Sequence, residues 1–152
     1  MPPRSQTAFP KSPHQKMPNT TKKRILFADD SASIRRLVEI ILKKAGYDVL
    51  VAQDGKEALD LALSNEIDAV VTDLTMPEVS GEELCLTLRA TPAKAEIPLI
   101  VLSGHVPENR NTPALDFADA VLSKDSDFKK ALLASLEELL SGRSSLQIKK
   151  TA

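Results

Sequence analysis

At 152 residues, 42% apolar and 27% charged, the chain has the make-up of an ordinary soluble globular domain long enough to bury one core. Net charge is −1, but nine of the 20 basic residues lie in 1–24 and 143–152, where there is no acid; 25–142 therefore sets 11 basic against all 21 acidic residues, a net of −10. That body is a poor duplex-binding surface, and no apolar run approaches the roughly 20 residues of a membrane span, so neither direct DNA binding nor a membrane is expected. The lone cysteine, Cys85, excludes an internal disulfide and fits a reducing cytoplasm. It falls in an apolar helical pattern and reads as a buried thiol. The start of the chain lacks the apolar region of a secretory signal, so a cytoplasmic location is expected.

Residues 1–22 contain five prolines, several basic residues and almost nothing to bury, which predicts a disordered tail. Met17 begins MPNTTKKRILF, a plausible alternative start. The ordered domain is expected over 23–142, with 143–152 a second disordered tail. Residues 24–28 read as a first strand. Ser31 or Asp30 can cap a helix whose Ile34, Leu37, Val38, Ile41 and Leu42 recur at three and four residues as one buried face, and Gly46 ends it. A second strand is expected over Tyr47–Ala52. Asp54 and Glu57 form a capping-box pattern for a helix to about Ser64, followed by a third strand over Asp68–Thr72.

Ser80 and Glu83 repeat the capping pattern before a helix that carries Leu84 and Leu88 and stops at Pro92. Pro98–Leu102 and Asp119–Ser123 read as strands four and five. A last helix from about Ser126 to Leu140 carries Phe128, Leu132, Leu136, Leu139 and Leu140 on one stripe. Between strands four and five, residues 106–118 hold Pro107, Pro113, Asn109 and Asn111, so the fourth crossover is expected to be short or irregular. Strands separated by single helices require parallel pairing with right-handed crossovers, hence an α/β doubly wound sheet.

In such a sheet the ends of the apolar runs meet at one carboxyl edge, where open α/β sheets bind ligands. Asp29 and Asp30 follow the first run, Asp73 the third, Ser103 the fourth and Lys124 the fifth. Each has a plain alternative: helix capping for the acidic pair, a turn serine, a solvated lysine. Three carboxylates brought together repel one another unless a cation neutralises them, and Mg²⁺ suits an open, oxygen-only site. An ionised Asp73 could then act as a nucleophile toward phosphorus, with Lys124 offsetting the developing charge.

The order Asp29-Asp30, then Asp73-Leu74-Thr75-Met76-Pro77 with Gly81 downstream, then Ser103, then Lys124, resembles the receiver domain of two-component response regulators, of the stand-alone, chemotaxis-regulator-like type. The resemblance spans about 23–142. It implies a flavodoxin-like (βα)₅ fold with a five-stranded parallel sheet in the order 2-1-3-4-5. It further implies that Asp73 is the phosphoacceptor, and that Asp30, Asp73 and the Thr75 carbonyl bind Mg²⁺ directly, with Asp29 acting through water. Ser103 would hydrogen-bond the phosphoryl group and Lys124 would pair with it.

The expected function is therefore that of a single-domain response regulator. It would be phosphorylated by a histidine kinase or phosphotransfer protein and signal to a downstream protein, assisting its own phosphorylation and dephosphorylation only. Two positions depart from the family pattern: Asp125 replaces the proline that usually follows the lysine, and Val121 replaces the aromatic three residues before it. A trans Lys124–Asp125 bond is expected without that proline. The departures favour a second reading, a binding module that keeps the fold but works without phosphorylation. A small-molecule phosphatase of the haloacid-dehalogenase type would need a second Asp where Thr75 stands, and nucleotide binding would need a Gly-rich loop after the first strand.

Overall fold

The computed structural model describes residues 22–104, 116–125 and 128–141. The proline-rich segment, the alternative start at Met17, the terminal tail, residues 106–115 of the fourth crossover and the start of the last helix at Ser126 lie outside the described residues. The elements are β1 (Arg24–Ala28), α1 (Ala32–Lys44), β2 (Asp48–Ala52), α2 (Gly55–Ser64), β3 (Ala69–Thr72), α3 (Gly81–Ala90), a 3₁₀ turn (Pro92–Lys94), β4 (Leu99–Ser103), β5 (Ala120–Ser123) and α4 (Phe128–Ser141). All pairings are parallel and the sheet order is β2-β1-β3-β4-β5, the doubly wound order anticipated above.

Alternation along the strands divides the core between the two faces of the sheet. Leu26, Ala28, Val70 and Val101 pack with Ala58 and Ala62 of α2 and Leu84, Cys85 and Leu88 of α3. Ile25, Phe27, Val71, Ile100 and Leu102 pack on the other side with Val38, Ile41 and Leu42 of α1 and Leu132, Leu136 and Leu139 of α4, whereas Leu37, expected on that buried face, lies at its margin and is 44% exposed. β1, β3 and β4 are consequently near-continuous apolar runs, as strands covered on both faces must be.

Several strands begin one residue later than the pattern of apolar residues suggests, each for a local reason. Tyr47 belongs to the end of α1: Gly46, at φ 99°, donates to Lys43 O (3.0 Å) and Tyr47 to Leu42 O (3.0 Å), closing a Schellman motif. Asp68 and Asp119 precede their strands and use their carboxylates to accept strand N–H groups, from Arg24 at 2.7 Å and from Leu99 at 2.9 Å. Pro98 has no N–H to pair, and β4 starts at Leu99 and runs through Ser103. Asp116 and Phe117 are helical, at the end of the fourth crossover.

Candidate acidic site

β1 delivers Asp29 to the carboxyl edge, where its N–H donates to Ala52 O of β2 (3.1 Å). The side chain has no solvent exposure, and its Oδ1 accepts from Ser31 N (2.9 Å). Capping of α1 falls to Ser31, whose Oγ accepts from Ile34 N at 3.3 Å. Asp30 is exposed and projects from the same turn. The acidic pair is thus not the helix cap, which removes its plain alternative.

β3 delivers Asp73, 9% exposed, whose N–H donates to Ala28 O (3.0 Å) and whose Oδ1 accepts from Leu74 N (2.7 Å). The buried Thr72 hydroxyl donates to the Asp73 carbonyl at 2.9 Å, fixing the turn out of the strand. One carboxylate oxygen from each of Asp29, Asp30 and Asp73 lies within 4.8 Å of the others.

Lys124 follows β5, its N–H donating to Ser103 O (2.9 Å). Its ammonium lies 3.0 Å from Asp73 Oδ2 and 2.5 Å from Asp29 Oδ2. The first contact is a well-formed hydrogen bond. The second is a shorter ion pair to a fully buried carboxylate. Burial pulls the Lys124 pKa down, but its bonding and charge attraction to Asp29 and Asp73 outweigh this, and the net shift is upward. The lysine is therefore a fixed cation at neutral pH.

One lysine charge sits against three clustered carboxylates, so net negative charge remains at the site. An open set of hard oxygen donors with residual negative charge fits a small divalent cation. Thr75 lies exposed in the loop after β3, and Ser103, 5% exposed, ends β4 two residues beyond Val101, the partner of Thr72. The five strand-edge positions singled out above therefore share one edge of the sheet. The sequence did not disclose that Lys124 bridges Asp29 as well as Asp73, nor that Arg35 Nη1 donates to the Asp29 carbonyl (2.8 Å) from α1.

The family model of the response regulator receiver domain matches residues 25–137. The chain belongs to this family. Receiver-family relatives include the response regulator MprA of Mycolicibacterium vanbaalenii, 40% identical over 118 residues, which cover 77% of this chain and 50% of that protein. The gliding motility regulatory protein of Myxococcus xanthus is 34% identical over 128 residues, 84% of this chain and 16% of its own length. The chain thus spans half the length or less of these curated relatives.

Among solved structures, the chemotaxis protein CheY4 of Vibrio cholerae superposes with a TM-score of 0.71 at 30% identity, covering 77% of this chain and 98% of that one. The response regulator TrrA of Thermotoga maritima, solved in complex with Mg²⁺-BeF, gives 0.68 at 30% identity over 76% and 97%. Against the receiver pattern, Val121 is half-buried against the α2/α3 side of the core, and the Lys124–Asp125 peptide is trans.

Proposed function

We propose that this receiver domain accepts a phosphoryl group on Asp73 from a histidine kinase or phosphotransfer protein, in a Mg²⁺-dependent reaction, and signals by protein–protein contact. The observation that carries the reading is the convergence of Asp29, Asp30 and Asp73 within 4.8 Å, with the Lys124 ammonium bonded to Asp73. Asp29, Asp30, Asp73 and the Thr75 carbonyl would hold the ion. Mg²⁺ would supply charge neutralisation for an anionic acceptor and an anionic donor. The Mg²⁺-BeF complex of the Thermotoga maritima relative supports this assignment.

In the transfer, an Asp73 carboxylate oxygen forms a bond to phosphorus. The bond from phosphorus to the donor imidazole nitrogen breaks, and its electron pair stays on that nitrogen. Leu74 N–H and Lys124 hold the two Asp73 oxygens from different sides, so the carboxylate is oriented before the donor arrives. Lys124 remains protonated and offsets the charge gathering on the transferred oxygens, while the Ser103 hydroxyl donates to one of them. The exposed apolar Leu37 and Ile40 on α1 support contact with a protein partner.

The test is intact mass after incubation with a small-molecule phosphodonor, with and without Mg²⁺. One phosphoryl group should appear only with the metal, and Asp73→Asn should abolish it. Undiminished labelling of the variant would refute the reading. A second reading, binding without phosphorylation, draws on Val121 and Asp125; a wild-type chain that never takes up phosphate would favour it.

A further inference from the structure

The loop 74–80 carries Thr75 and leads from Asp73 into α3, and two glycines press against its ends. The Gly81 N–H donates to Leu74 O at 2.8 Å, and a Cβ at Gly81 would fall 1.8 Å from Asp73 O and 2.9 Å from Leu74 Cα. On the other side Gly55, the first residue of α2, meets the far end of the loop. A Cβ there would fall 1.6 Å from Val79 O and 2.8 Å from Val79 Cβ.

Both obstructions include main chain, which cannot swing aside as a side-chain tip can. Neither glycine has a positive φ, so each position demands space rather than an unusual backbone conformation. Glycine is also a poorer helix former than alanine, which gives it no intrinsic reason to open two helices. Between the two contacts Glu78, exposed to solvent, holds φ 70°, a left-handed conformation rare for a residue with a side chain.

We propose that Gly55 and Gly81 are positioning residues for the acidic site, setting the Asp73 carbonyl turn and the Thr75 loop by close backbone contact. The inference rests on the metal reading above. A Cβ at Gly81 must displace the main chain of Asp73 itself. A Cβ at Gly55 must push Val79 outward, and because the loop's near end is pinned at Gly81, the shift spreads along the segment holding Thr75. Mg²⁺ demands near-ideal octahedral geometry and tolerates such displacement badly.

The experiment is Mg²⁺ titration of the full chain by calorimetry, below the melting temperature of every variant. Gly55→Ala and Gly81→Ala should each weaken Mg²⁺ binding by about tenfold, as loss of outer support for metal ligands does. Leu136→Ala, on the opposite core face, should lower the melting temperature yet leave the affinity within about twofold of wild type. If both glycine variants fail to fold, Glu78→Val and Glu78→Gly decide. Both remove the same charge, but valine opposes the left-handed backbone and glycine suits it, so valine should bind Mg²⁺ more weakly. Wild-type-like affinity in the folded glycine variants, or equal affinity in the Glu78 pair where they do not fold, would overturn the inference alone. No Mg²⁺ binding by the wild type would overturn the metal reading and this inference with it.

Discussion

Asp29 and Asp30 are adjacent, yet one is sealed in the sheet edge and the other faces solvent. The buried partner carries the ion pair to Lys124 and the exposed one is open to a cation. Asp30→Ala should therefore abolish the rise in melting temperature that Mg²⁺ produces by linkage, and Asp29→Ala should reduce it less. A thermal melt with and without Mg²⁺ reads this directly, and an equal rise in both variants would contradict it.

Lys124 is predicted to matter for the fold as well. Lys124→Met leaves Asp29 and Asp73 without their cation and should cost about 3 kcal/mol in urea unfolding without metal. Its raised pKa fixes the sign of a pH effect. The stabilisation is complete below the unfolded value of about 10.4 and is lost as pH rises through the higher folded value. Tyr47, raised by burial and by the Glu137 charge, works in the same direction, so the alkaline loss of stability should shrink in Lys124→Met without vanishing. Burial pushes the Cys85 thiol up to about 12. A thiol reagent at pH 8 should label it at the rate of global unfolding; fast labelling of the folded chain would contradict its placement.

At the scale of elements, the helix starts were legible because capping is local chemistry. Ser31, Asp54 and Ser80 each accept the N–H three residues on. The Asp54 pattern closes one residue earlier than an ideal capping box, with Glu57 accepting from Gln53 N at 2.9 Å. Strand ends were less legible, because a carboxylate that takes over a ladder bond looks, in sequence, like a polar residue inside a strand. The main feature with no sequence signal is Arg89.

From the last turn of α3, Arg89 donates to Ala95 O, Ile97 O and Phe117 O and pairs with Asp119 at 3.0 Å, tying the α3–β4 connection to the start of β5. These partners are up to 30 residues away, so no local pattern announces them. Both side chains are largely buried, 17% and 12% exposed. Arg89→Ala should cost about 3–5 kcal/mol in urea unfolding, because it removes the cation from the largely buried Asp119 carboxylate and a donor from three carbonyls. Arg89→Lys should recover less than half of that, lacking the planar fork. Full recovery by lysine would mean that charge alone holds the junction.

For the whole molecule, the parallel sheet and the meeting of Asp29, Asp30, Asp73, Ser103 and Lys124 at one edge follow from alternating strands and helices, whereas the strand order was legible only through the receiver resemblance. Parallel strands put all their carboxyl ends on one side, so position in sequence became position in space. The steric roles of Gly55 and Gly81 did not follow, since contact with Val79 and Asp73 depends on how α2 and the β3–α3 loop pack.

The role proposed for this edge is to make Asp73 a nucleophile toward phosphorus. It is tested most directly by treating the chain with phosphodonor and Mg²⁺, quenching with hydroxylamine, and locating the product by peptide mass spectrometry. Hydroxylamine converts an acyl phosphate to a hydroxamate on the residue that carried it. A hydroxamate is expected at residue 73 and should disappear when Mg²⁺ is removed by a chelator. A hydroxamate at Asp29 or Asp30 instead, or phosphate uptake on a residue insensitive to hydroxylamine, would contradict it.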